Sequence, residues 1–234
     1  PANENLLLAV SQGFTQYAFA FVKQDADEIE DEDIEKAMRI RDEARKLLFR
    51  ARDYALRGIE VNHPGFREKL LADRTSAVAM LTKKDVPQLY WAGAAWGAAI
   101  SISKDDTDVI GDLPVVEAMM ERALALDESY DHGAIHGFFV SYDMSRLADA
   151  TVNADSARKH FKRAIELSDG QNAGYYVGLA ESVATTLGDR AEFESLLGQA
   201  LAIDPDARPE WRLANIVFQN RARWLLSRTD RLFL

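Results

Sequence analysis

At 234 residues, with 47% hydrophobic and 28% charged side chains, the chain has the make-up of a globular protein long enough to bury a substantial core. Its net charge of -10 argues against a nucleic-acid partner, because phosphate binding needs a basic excess. It has no cysteine, which excludes disulfides, thiol nucleophiles and cysteine-ligated metals, and no apolar run approaches the roughly 20 residues that span a bilayer.

Leu6, Val10, Phe14, Tyr17 and Phe21 recur at three- and four-residue steps and predict a first helix over residues 3–23. Residues 25–35 are mostly carboxylates, whereas arginine dominates the charges of residues 208–231. A solvated helix junction and a basic last helix are the plain readings; a complementary contact between subunits is the sharper one. A second helix is expected over residues 33–61, with Ile34, Met38, Ile40, Ala44, Leu47, Leu48, Ala51, Tyr54 and Ala55 as its buried stripe. Asn62-His63-Pro64-Gly65 stops it, since proline cannot continue the hydrogen-bond ladder. Further helices are expected over residues 66–81, 87–103, 114–126, 129–147, 155–167, 172–187, 190–203 and 209–226. No segment alternates with the period of a strand, so the expected fold is all-α with about ten helices.

Four helix ends share one phrase: Arg57-Gly58-Ile59-Glu60-Val61-Asn62, Arg122-Ala123-Leu124-Ala125-Leu126-Asp127, Arg163-Ala164-Ile165-Glu166-Leu167-Ser168 and Gln199-Ala200-Leu201-Ala202-Ile203-Asp204. The small residue admits a neighbouring helix, two aliphatics seal the end and a polar residue opens the turn. Ala123 and Ala164 stand 41 residues apart, Ala164 and Ala200 36 apart. Both spacings are near the roughly 34-residue period of tetratricopeptide repeats. Ala157, Phe161 and Ala164, then Leu197, Ala200 and Pro205, fit further positions of that repeat. The expected architecture is a right-handed stack of antiparallel helix pairs, degenerate and tetratricopeptide-like. It forms one domain over residues 1–234, with divergent helices over 1–86 and clearer units over 87–234.

Tyr90, Trp91 and Trp96 stand on a helix otherwise rich in glycine and alanine. Gly93 and Gly97 each cost roughly 1 kcal/mol against alanine in a helix, so tight packing or a lined cavity should compensate. Core packing is the plain reading of the tryptophans, and lining a groove or pore the functional one. His132 and His136, four apart at a helix start, are expected to share a face, with Asp131 as the cap and Tyr130 and Tyr142 adding hydroxyls to the same region. A zinc site with Asp127 or Asp131 is conceivable, but the HExxH glutamate and a third ligand are missing, and no metal is expected. Asp105, Asp106, Asp108 and Asp112 form an acidic loop around Gly111 without the EF-hand order of ligands. No P-loop, dinucleotide fingerprint or nucleophile elbow is present, no carboxylate stands out by an apolar setting and a partner, and neither an enzyme nor a cofactor is expected. Trp224, Leu225, Leu226, Leu232, Phe233 and Leu234, beside arginines, would either cap the last repeat or suit a subunit interface.

The stretch LYWAGAAWGAAISISKDD, followed by LP..EAMMERALALDESYDHGAIHGFFVSY, resembles the T component of TRAP (tripartite ATP-independent periplasmic) transporters, the TatT family. The resemblance covers most of the chain and is strongest over residues 87–142. It implies a non-enzymatic, periplasmic, usually lipid-anchored protein that pairs with the transporter's solute-binding component and self-assembles, as trimers. It also implies a cleft or pore for a hydrophobic ligand, for which Tyr90, Trp91, Trp96, His132, His136 and Tyr142 are the lining candidates. The lipid-bearing cysteine of the family is absent. The chain opens Pro1-Ala2-Asn3 rather than on methionine, so anchoring is expected to rest on a removed leader. The competing expectation is a tetratricopeptide-like scaffold that grips a peptide in its concave face.

Overall fold

A computed structural model describes residues 3–103, 106–146 and 148–233, and every regular element among them is helical. Backbone contacts divide the chain into two units, Pro1–Asp127 and Glu128–Leu234. The division falls within the stretch that the repeat phrases mark most clearly.

The first unit begins with Asn3, whose side chain accepts the amide of Leu6 at 3.0 Å and caps α1 (Glu4–Tyr17). A π-helical turn, Ala18–Val22, carries the chain without a break into α2 (Lys23–Ile29). The first helix therefore runs beyond the expected end at Lys23. Helix α3 (Ile34–Glu60) follows, capped by Asp33. Its buried stripe is Ala37, Ala44, Leu48, Ala51, Ala55 and Ile59, while Ile34 and Met38, expected inside, are each 61% exposed. At that end the junction is held by charge instead. Arg41 reaches back to Glu30 at 2.7 Å and to Asp27 at 3.2 Å, so part of the acidic run is an ion-pair clasp.

Two short helices, α4 (Phe66–Ala72) and α5 (Arg74–Ala79), replace the single helix expected over residues 66–81. They break at Asp73, whose carboxylate turns to cap α5 on the amide of Ser76. Helix α6 (Val86–Ser101) packs against α1, α3 and the later α8. Its small residues allow that threefold contact: a β-carbon on Gly93 would stand 2.5 Å from the sulfur of Met120. Helix α7 (Thr107–Ile110) is one turn, and α8 (Leu113–Leu126) closes the unit.

In the second unit α9 (Ala134–Tyr142) is flanked by 3-10 turns at Tyr130–His132 and Asp143–Ser145, so the helix expected over residues 129–147 is far shorter. Helix α10 (Ala150–Leu167) packs on α9 and on α11 (Ala173–Leu179). A second π-helical turn, Ala180–Ala184, joins α11 to α12 (Thr185–Leu187). Helices α13 (Arg190–Ala202) and α14 (Arg212–Leu226) both pack on α11, and α15 (Thr229–Leu232) ends the described chain. The core joins Val140, Ala157, Val177, Phe193, Leu197, Ala200 and Ala222, with Trp224, Leu226 and Phe233 packed on its flank. Leu234, grouped with them by sequence, lies outside the described residues. Two buried amides satisfy the ends of helices. Asn215 accepts from Ala173 and donates to the carbonyl of Gln171, and Gln219 donates to the carbonyls of Ala200 and Ile203.

Candidate functional site

The six residues singled out by sequence fall into separate units, three in each. In the first unit Trp91 and Trp96 are both buried, and Tyr90 is half-buried with its ring edge-on to Trp91 at 5.2 Å. The two indoles differ in how their N–H groups are used. Trp96 donates to Oδ2 of Asp112 at 3.1 Å, and the guanidinium of Arg52 lies 4.6 Å over its ring. Trp91 keeps its N–H buried with no acceptor among the described residues. The acidic loop turns back onto this unit: Asp106 caps α7 through Val109 and pairs with Arg45 at 3.4 Å, while Asp112 holds Trp96. Asp105 lies outside the described residues.

The second unit holds a line of polar groups along α9 and α10. Glu128 takes a fork from Arg163, at 2.7 and 3.0 Å, and faces Nε2 of His136 at 3.2 Å. Nδ1 of His136 meets Nδ1 of His160 at 2.8 Å. Beyond it, Nε2 of His160 stands 3.9 Å from the fully buried carboxylate of Asp143, which Arg146 approaches to 3.5 Å. Neither oxygen of Asp143 accepts a hydrogen bond among the described residues. Phe139 stacks on the His160 ring at 4.8 Å, and the buried ring of Tyr142 packs on Phe138 and Phe139 with Arg146 over its face.

Hydrogen-bond logic fixes the proton positions along this line. Arg163, with help from His136, holds the Glu128 carboxyl down at about 2, so Glu128 is an acceptor and His136 carries its proton on Nε2. A neutral His136 then accepts at Nδ1, and His160 must donate from its own Nδ1. The bare Nε2 of His160 is left facing Asp143, so a further proton would enter there. Burial lowers the affinity of both imidazoles for that proton, against the pull of Glu128 on His136 and of Asp143 on His160.

His132 does not share a face with His136, contrary to the four-residue spacing. Helix α9 starts only at Ala134, and His132 lies in a left-handed stretch with Asp131 and Gly133, at φ of 54°, 43° and 91°. Its ring is exposed and meets Trp211 edge-on at 4.9 Å, while its carbonyl accepts from the Tyr175 hydroxyl at 3.2 Å. Asp131 does not cap α9; Gly133 occupies that position without a side-chain hydrogen bond.

Sequence reasoning missed Asp143 and His160, and it found no carboxylate in an apolar setting where Asp143 is one. A signal existed: Asp143 stands seven residues after His136, two turns along an otherwise apolar helix. Among the described residues no three histidine, aspartate or glutamate side chains converge as metal ligands would.

A family model described as TRAP transporter T-component matches residues 1–233. The chain belongs to that family. An uncharacterized protein of Treponema pallidum (strain Nichols) is 30% identical over 238 residues, an alignment covering all of this chain and 74% of that protein. Membership in the TRAP T-component family makes this chain an accessory of a transport system and points to a location outside the cytoplasm. Among the described residues no helix is long and apolar enough to cross a membrane.

Proposed function

We propose that this T component is a periplasmic, non-enzymatic accessory that docks the solute-binding protein of its TRAP transporter and holds an apolar ligand in a helical cleft. Family membership over residues 1–233 carries the reading. The buried Trp91 N–H supports the ligand part, since a donor with no protein acceptor favours an apolar molecule bearing one acceptor atom. Self-association, as a trimer, and a lipid anchor on a precursor segment belong to the same proposal.

Sedimentation of the purified chain with the solute-binding protein of the same transporter tests the docking. A complex at micromolar concentration is expected, and its absence overturns the docking. Native mass spectrometry tests the ligand. An apolar molecule that co-purifies with the wild type, and is retained less by Trp91→Phe, is the expected result; equal retention overturns the role of Trp91.

A further inference from the structure

The polar line between α9 and α10 turns on one contact that has room for a single hydrogen. Nδ1 of His136 and Nδ1 of His160 stand 2.8 Å apart. An imidazole nitrogen is either a donor or an acceptor, so the contact needs a proton on one ring and a lone pair on the other. His136 is buried, and Phe139 stacks on the His160 ring at 4.8 Å. A buried ring that loses this bond has no bulk water to turn to.

Among the described residues, the charged groups that face the pair sit at its two ends. Beside His136 stand Glu128 and, forked onto it, Arg163 of α10. Beside His160 stand Asp143 and Arg146, both beyond the end of α9. Helix α11 packs on α9 and α10 and carries no charged residue. Its Tyr175 hydroxyl goes to the carbonyl of His132, and its Tyr176 ring lies edge-on to Phe161. In the π-helical turn that follows, Glu181 is paired with Arg221.

With both rings neutral, the line runs unbroken from Arg163 to His160 and ends in a lone pair on Nε2, 3.9 Å from Oδ2 of Asp143. A first added proton on that Nε2 makes it a donor toward Asp143 and leaves the contact between the two Nδ1 atoms as it was. A second finds only Nδ1 of His136 open, because Nε2 of His136 already carries the proton that faces Glu128. Two N–H groups, each on a charged ring, would then point at each other across 2.8 Å.

We propose that the seam between α9 and α10 is a two-proton latch, closed with no or one added proton on the histidine pair and opened by the second, which parts His136 from His160. Helices α13 and α14, which pack on α11 and on each other, stay in place. The latch rests on neither the docking nor the ligand reading.

Histidine-ring NMR of the purified chain, with amide hydrogen exchange followed from about pH 7.5 to about pH 4.5, tests this. At the upper end His136 should show the Nε2–H tautomer and His160 the Nδ1–H tautomer. On acidification His160 should charge first, with exchange in α9 and α10 unchanged. Charging of His136 should then coincide with exchange at least about tenfold faster in α9 and α10 but not in α13 or α14. His160→Gln, whose amide can donate to Nδ1 of His136 without titrating, should keep α9 and α10 protected. Asp143→Asn should move the charging of His160 to lower pH, which a role in packing alone would not do. The same tautomer on both rings, opening before His136 charges, or a seam still closed at about pH 4.5 overturns the proposal. So does exchange that rises evenly across the second unit, a His160→Gln variant that opens with the wild type, or an unshifted His160 in Asp143→Asn.

Discussion

The ring of Tyr175 lies across Gly137 so closely that a β-carbon on the glycine would stand 2.5 Å from Cε1. The same ring sends its hydroxyl to the carbonyl of His132, so α11, α9 and the left-handed turn before α9 are tied at one point. A buried aromatic ring cannot bend aside as a flexible chain would. Gly137→Ala should therefore destabilise the second unit by about 1–3 kcal/mol, although alanine alone would favour the helix by about 1 kcal/mol. Urea unfolding measures the balance, and a variant as stable as wild type would show that Tyr175 relocates freely.

The paired imidazoles predict a pH dependence. Burial depresses both His136 and His160 below the ordinary histidine value of 6.5, so the unfolded chain binds more protons than the folded one just below that pH. Stability should be full above it and should fall as pH drops through about 6.5 toward the depressed folded values. Glu128, held down by Arg163, contributes in a separate and lower window, lost below its ordinary 4.5. Thermal melts from about pH 7.5 to about pH 5.5 should show the decline, and His160→Gln should flatten it. A wild-type melting temperature constant across that range would exclude the histidine pair as its source.

Asp131 adopts φ of 43°, a left-handed conformation that costs a β-carbon-bearing residue roughly 1 kcal/mol. Asp131→Gly lifts that strain and should stabilise the fold by about 0.5–1 kcal/mol. Destabilisation instead would mean that the carboxylate makes a contribution larger than its strain.

Trp96→Phe keeps an aromatic ring in the first unit but deletes the N–H that Asp112 accepts. The expected loss is about 1–2 kcal/mol from the hydrogen bond and the smaller ring. Asp112→Asn, which retains an acceptor, should lose less. Equal losses would place the effect in charge rather than in the hydrogen bond.

Local chemistry was readable where a residue type carries one meaning. Ala123, Ala164 and Ala200 recur because a neighbour must come close, and all three are fully buried. The all-α class followed from the three- and four-residue steps of the apolar residues. His132 was misread because nothing in the string Tyr130–Asp131–His132 marks two consecutive non-glycine residues as left-handed; the surroundings impose that. Ile34 and Met38 were misread because a helical wheel shows which residues align and not what faces them. His160 and Asp143 were missed for a third reason: their pairing joins α10 to the end of α9, and one sequence carries no record of contacts between helices.

Among the described residues each unit contains one π-helical turn, at Ala18–Val22 and at Ala180–Ala184, where the amides of Lys23 and Thr185 reach back five residues to the carbonyls of Ala18 and Ala180. Such a turn holds one more residue than a regular helix needs, and each residue turns the side chains by about 100°. The helix before and the helix after it are thus indexed separately, like two gears set one tooth apart. Asp27, downstream of the first turn, pairs with Arg41, and Glu181, inside the second, pairs with Arg221 of α14. Straightening either turn into regular α-helix with the sequence unchanged would swing every downstream side chain by about 100°, whereas deleting one residue there would leave them pointing as they do.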